Sequence, residues 1–215
     1  MTQPQDIKTT DTGTTTLGIK CSDGVILGAD NRTTMGNFVA GKDKQKVRPI
    51  NDYIGFTWAG AVGDAQMLER TIKANVALYE TQRNKRIKLR SLTTFLANIF
   101  QERSYFPYWV QTIIGGYDSE PRLIDIDAIG GYKEFTDFTV SGSGSMMAIG
   151  VLEAEYTKEK TMKENELLAL RAIHAAIERD IYSGNGVDLL FIDKHKSELK
   201  HYTLDEVKQI IGAKK

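Results

Sequence analysis

From Thr14 the chain runs through short β-branched and aliphatic stretches punctuated by turn residues: TTTLGIK and DGVILGAD are parted by SDG, a hairpin signal. NFVAG and YIGFTWAG follow, joined by KDKQKVRPIND, so the first third is predicted to be strand-rich and mostly antiparallel. At Asp64 the period changes. DAQMLERTIKANVALYETQR sets Met67, Ile72, Val76 and Tyr79 along a helical stripe with Asp64 near its start, and SLTTFLANIFQERS predicts a second helix capped by Ser91. Strands return in YWVQTIIGGYD, PRLIDIDAIGG and FTDFTVSGSG, each closed by glycines or turn residues. MMAIGVLEAEY and the longer KENELLALRAIHAAIERDIYS predict two more helices, the second with Leu167, Leu170, Ile173, Ile177 and Ile181 on its apolar face. VDLLFID and LKHYTL predict a closing hairpin, and DEVKQIIG a short last helix. This order of elements implies an α+β fold, with stacked antiparallel sheets and a helical layer outside each, rather than a parallel βαβ sheet.

Composition narrows the partners more than the chemistry. At 215 residues, 41% of them hydrophobic, the chain suits one domain with a sizeable core. Its 28 basic and 28 acidic residues cancel, and no long block of one sign offers a footprint for nucleic acid or a membrane surface. No apolar stretch approaches the roughly 18 residues of a membrane span, and the polar opening MTQPQDIKTTDTG has no basic-then-apolar secretory pattern. The expectation is a cytoplasmic protein with a short leader. Cys21, the single cysteine, excludes an internal disulfide and is expected to act as a small buried hydrophobe. His174, His195 and His201 are expected to be surface or packing residues.

Candidate chemistry lies where the polar opening meets the first strand, in TTDTGTTTLGIK. In an intact chain these threonines are strand-edge residues. A cut after Gly13 instead gives Thr14 a hydroxyl and a free amine. A threonine hydroxyl is a weak nucleophile that needs a base; an α-amine with a reference pKa of roughly 7.7 to 8.0 can be that base at neutral pH. Gly13, lacking a side chain, lets the chain bend so that the hydroxyl can approach its carbonyl. Competing motifs fail. GNFVAGKD has the glycine and lysine spacing of a phosphate loop, but Asp43 stands where a hydroxyl must meet Mg²⁺. HExxH and paired CxxC are missing, and Ser143 lacks the flanking glycines of a nucleophile elbow. No metal or cofactor is expected.

GTTTLGI at Gly13, GADNR at Asp30, Lys46, AGAVGDAQ from Ala59, FPYWVQTIIGGYD, SGSGS around Ser143, IGVLE and ERDIYSGNG around Asp180 follow one another in a specific order and spacing. From Gly13 to near residue 205 they resemble the proteasome β-subunit family in its archaeal form. The resemblance implies an N-terminal-nucleophile hydrolase with a four-layer αββα sandwich, cutting unfolded polypeptide inside a barrel of stacked seven-membered rings. It implies a leader at 1–13 removed between Gly13 and Thr14, and one catalytic domain over 14–215. Thr14 matches the nucleophile, Asp30 and Lys46 the acid and lysine beside it, and Ser143, Asp180 and Ser183 the group that orders the threonine amine. Gly60 matches the backbone oxyanion donor. Thr33, Thr34, Trp58 and Val62 match the substrate pocket. Other β-subunits, α-subunits and a regulatory ATPase reached through the α-ring are the implied partners.

Trp58 departs from the family pattern, which usually has a smaller or more flexible residue at the base of that pocket. The indole is expected to shorten or block it, unless it turns into the core. Two rivals follow: a structural or weakly active ring subunit whose pocket is stopped by Trp58, and a self-processing amidase acting on small molecules.

Overall fold

The structure, a computed structural model, describes residues 13–213. All of the expected leader except Gly13 lies outside the described residues. Strands β1 (Thr15–Lys20) and β2 (Val25–Asp30) pair antiparallel as SDG predicts, from Thr16 opposite Ala29 to Lys20 opposite Val25. Next come β3 (Thr33–Met35) and β4 (Phe38–Gly41), a separate small hairpin turning at Gly36 with φ of 57°. GNFVAGKD therefore builds a β-hairpin, with no helix N-terminus behind it to receive a phosphate.

KDKQKVRPIND, read as a connection, supplies β5 (Val47–Asn51) ahead of β6 (Ile54–Gly60). Charge and Pro49 mask this strand, and both are tolerated because β5 is a sheet edge where a missing N–H breaks no ladder bond. Helix α1 (Val62–Arg83) buries Ala65, Leu68, Ile72 and Val76 and ends at Asn84, whose φ of 48° is left-handed. Helix α2 (Leu89–Glu102) corrects the expected cap: Ser91 is its third residue and Lys88 the N-cap. Asp118 takes over that task from a distant turn, accepting the free Leu89 N–H at 3.1 Å.

FTDFTVSGSG supplies one strand, as predicted, and YKEF, which runs into it at Phe135, a further short strand that the pattern did not reveal. After β7 (Val110–Tyr117) and β8 (Pro121–Ile126), β9 (Tyr132–Phe135) ends the second sheet, the chain bends at Thr136–Asp137, and β10 (Phe138–Gly142) crosses to the first. Helix α3 (Ser145–Glu155) follows, then α4 (Met162–Ile177), opened by a capping box between Thr161 and Glu164. Helix α4 stops short of the predicted end, and Ile181 is exposed, because the chain leaves the helix to carry Asp180 and Ser183 toward β1. Strands β11 (Val187–Ile192) and β12 (Ser197–Tyr202) and helix α5 (Leu204–Ala213) complete the chain.

Two five-stranded antiparallel sheets result, ordered β10-β1-β2-β11-β12 and β5-β6-β7-β8-β9. Strand alternation sorts the core. Leu17, Ile19 and Ile26 point outward to Ala148, Leu152, Leu168 and Ile173 of the helices, whereas Val25, Leu27, Ala29 and Leu190 point inward to Ile113 and Leu123 of the other sheet. Ile54, Phe56, Trp58, Ile114 and Ile124 cover that sheet's outer face beneath α1 and α2. The layers are thus helix, sheet, sheet, helix, as expected for the αββα sandwich. Gly18 lets the sheets close, since a Cβ there would lie 2.4 Å from the Leu123 side chain. Cys21 is buried as expected and accepts the Asn165 amide at 3.3 Å; burial pushes its thiol up to about 12. Among the described residues no helix is long and apolar enough to cross a membrane.

Asp125 shares a face of β8 with the inward-facing Leu123, and burial, aided by nearby Asp127, pushes its carboxyl up to about 6. Its ionised form is disfavoured in the fold, so stability falls as pH rises from the unfolded carboxyl range through that value, and the penalty is complete above it. Asp125→Asn is expected to raise stability by about 2 kcal/mol at pH 8 and to lose that gain by about pH 4. Urea unfolding at both pH values checks this; a gain equal at both would contradict it.

Candidate active site

Thr14 lies just ahead of β1, Asp30 at the end of β2 and Lys46 just ahead of β5. Pairing of β1 with β2 brings the first two together. Lys46 is anchored by its carbonyl, which accepts the Trp58 N–H at 3.3 Å. Asp30 Oδ1 accepts the Thr14 hydroxyl at 2.5 Å, the Lys46 ammonium at 2.8 Å and the Thr15 N–H at 3.0 Å. Its Oδ2 accepts the N–H groups of Arg32 and Gly184, both at 2.9 Å. The Lys46 ammonium also donates to the Thr14 hydroxyl oxygen. All three residues are buried.

Burial pushes the Lys46 ammonium below the ordinary lysine range, and Asp30, with a smaller contribution from Asp180, works against that loss. A hydroxyl held between an ammonium and a carboxylate is arranged for loss of its proton, because the cation stabilises the developing alkoxide.

Ser143, Asp180 and Ser183 gather on the other side of Thr14. The Thr14 N–H donates to Ser143 Oγ at 3.1 Å, and the Ser143 and Ser183 hydroxyls donate to Asp180 Oδ2 at 2.6 and 2.7 Å. The Thr15 and Ser183 hydroxyl oxygens lie 2.7 Å apart. Ser143 follows β10 and the other two sit in the loop after α4, so the group forms only when the first sheet closes.

Arg32 pins that loop, donating to Asn185 Oδ1 at 2.9 Å and to the Ile181 carbonyl at 2.8 Å. Sequence reasoning did not assign Arg32, Thr15 or Gly184, although GADNR, GTTTLGI and ERDIYSGNG contain all three. At Gly13 a Cβ would fall 2.2 Å from Tyr182 Cβ and 2.5 Å from Ser143 Oγ. Close packing, beyond the anticipated bend, thus requires glycine there.

Gly60 ends β6 with φ of 126°, and a Cβ there would fall 2.2 Å from the Trp109 carbonyl oxygen, so only glycine fits. With Gly142, Pro107, Tyr108, Trp109 and Gln111 it lines a cleft of about 380 Å³. Gly142 packs directly on Thr14: its added Cβ would lie 2.1 Å from the Thr14 carbonyl oxygen. The cleft therefore opens beside the cluster. Thr33 and Thr34 lie on β3, while Trp58 is buried beneath α1 with Val62 packed against the same cluster; none of these four is among the residues lining the cleft.

Residues 10–192 match the family model described as "Proteasome subunit". The chain is 44% identical over 200 residues to "Proteasome subunit beta" of Methanococcus aeolicus, spanning 92% of this chain and 91% of that protein. It is 45% identical over 201 residues to the protein of the same name from Archaeoglobus fulgidus, spanning 93% of each. A sandwich of two antiparallel sheets between helices and a match over most of the length place the chain in the proteasome subunit family.

Proposed function

We propose that this chain is a catalytic β-type proteasome subunit, a threonine endopeptidase made as a precursor that cuts itself between Gly13 and Thr14. The observation that carries the reading is the Thr14 hydroxyl held by Asp30 at 2.5 Å and by the Lys46 ammonium, with the Thr14 nitrogen facing Ser143. Once residue 14 is terminal, its amine takes the hydroxyl proton, directly or through a water, while Lys46 stabilises the alkoxide. The oxygen adds to a peptide carbonyl, and the Gly60 N–H receives the oxyanion, a contribution of about 3 kcal/mol in related hydrolases. The amine then gives its proton to the departing peptide nitrogen, leaving an ester on Thr14. Water, deprotonated by the same amine, hydrolyses that ester and restores the site. Ser143, Asp180 and Ser183 orient the amine throughout. Assembly with further β-subunits, with α-subunits and with a regulatory ATPase reached through them belongs to the same reading, as do unfolded polypeptide substrates and a cytoplasmic setting.

The test is the intact mass of the chain before and after mixing with cognate α-subunits. Loss of residues 1–13, dependent on Thr14, is the expected result; full mass retained in assembled particles would favour a structural ring subunit.

The second reading turns on Trp58. The indole, 4% exposed, packs with Ile54, Phe56 and Val62 beneath α1, turned into the core, and is not among the residues lining the cleft. On that reading cleavage after bulky residues is weak, and Trp58→Leu raises it about tenfold or more relative to cleavage after alanine. Each methylene accommodated contributes on the order of 1 kcal/mol. An unchanged ratio in a panel of model peptides would rule out Trp58 as the pocket stop.

A further inference from the structure

One buried carboxylate beside the site has no part in the chemistry above. Asp188, on β11 opposite Ala29 of β2, accepts the Asn31 side-chain amide on Oδ2 at 2.7 Å, and its Oδ1 lies 2.8 Å from His201 Nδ1 on β12. Asp188 is 2% exposed and Asn31 1%. Asn31 stands between Asp30 and Arg32, whose N–H donates to Asp30 Oδ2. Its own N–H is shared by the Gly184 and Gly186 carbonyls at 3.1 and 3.2 Å, and its carbonyl accepts the Lys44 N–H at 2.9 Å. One residue therefore ties together the segments that bring Asp30, Gly184 and Lys46 to the site. Among the described residues Asn31 Oδ1 has no hydrogen-bond partner, so the side chain is held through Asp188.

We propose that Asp188 is a positioning residue: through Asn31 it holds the Asp30–Arg32 turn where Asp30 meets both Thr14 and Lys46. Burying a carboxylate is unfavourable without compensation, and these two contacts supply it while connecting the site to a half-exposed histidine at the far edge of the sheet. The kinetic consequence rests on the reading of Thr14 as nucleophile; the placement of Asp30 does not. Burial, the larger effect, and the Arg32 charge disfavour the Lys46 ammonium, while Asp30 from β2 and Asp180 from the loop after α4 favour it. If Asp30 drifts away, Lys46 gives up its proton at lower pH.

Asp188→Ala and Asn31→Ala are compared with the native chain and with Asp188→Asn in assembled particles. The asparagine can keep both contacts, its oxygen accepting the Asn31 amide and its own amide donating to His201 Nδ1. Crystal structures of the alanine variants are expected to show Asp30 Oδ1 withdrawn from Lys46 Nζ beyond the native 2.8 Å. Turnover should fall at least about tenfold in kcat with KM within about twofold, the alkaline limb of kcat should move to lower pH, and Asp188→Asn should recover most of the loss. Should Asp188→Ala fail to fold, Asn31→Ala carries the comparison, since it leaves Asp188 paired with His201. An Asp30–Lys46 pair unmoved in the alanine variants, or an unchanged kcat and alkaline limb, overturns the proposal. A native particle without threonine-dependent turnover would sink the Thr14 reading instead, and the crystal structures alone would then decide the role of Asp188.

Discussion

Thr14→Ala is expected to abolish both self-cleavage and peptide hydrolysis, lowering kcat by a factor on the order of 10⁶, the scale of nucleophile removal in other hydrolases. The fold should survive. Asp30 loses the Thr14 hydroxyl but keeps Lys46 and three backbone N–H donors, those of Thr15, Arg32 and Gly184. The stability cost should therefore stay near that of one lost hydrogen bond, about 1 kcal/mol. Turnover of a fluorogenic peptide, with intact mass and thermal unfolding of the same particles, separates these effects. Assembled Thr14→Ala particles that still lose the leader or turn over peptide would refute the nucleophile assignment.

Asp30→Asn should be milder for catalysis and worse for stability. Its carboxylate accepts five donors, so an amide nitrogen in place of either oxygen must face an N–H or an ammonium. Leaving Lys46 buried without its counter-charge costs about 3–5 kcal/mol where the ammonium persists. The lysine escapes by losing its proton. Its folded value, already held below the ordinary 10.5 by burial, falls further without Asp30. A folded-state value below the unfolded one means that the unfolded chain binds more protons between the two, so stability rises with pH through that window. The window is wider in Asp30→Asn. Denaturant unfolding from pH 6 to 10 should thus show the variant's deficit shrinking as pH rises, and a deficit independent of pH would contradict this. Turnover should fall by roughly 10³ to 10⁴, comparable to amidating the orienting carboxylate of a serine triad.

How much could be read in advance depended on whether alternation or tertiary contact decides an element. Strands β1, β2, β6 and β11 carry β-branched runs, and the spacing of Ile54, Phe56 and Trp58 by two puts all three on the face beneath α1 and α2, as the structure has them. β3 is too short and polar to stand out, and β5 is charged and carries a proline that only an edge position tolerates. The start of α2 depends on Asp118, 29 residues away from Leu89, which no local capping rule can supply. Thr14 stands out as the hydroxyl that a cut after Gly13 would join to a free amine, whereas Asp30, Lys46, Ser143, Asp180 and Ser183 are assigned by resemblance alone, since no periodicity links them. Asn31 and Asp188, 157 residues apart, gave no signal because their pairing exists only in the register of β2 against β11.

Cys21 offers a practical opening. Thiol-directed reagents attack the thiolate, and a buried thiol pushed up to about 12 presents almost none at neutral pH. Maleimides should therefore pass over the native chain while it stays folded. A single cysteine introduced at an exposed position such as Lys194 would then be the one handle for a fluorophore or cross-linker, with no need to remove the natural residue first. The same silence makes modification of Cys21 a sensor, because uptake of reagent at that thiol reports opening of the layer between the first sheet and α4.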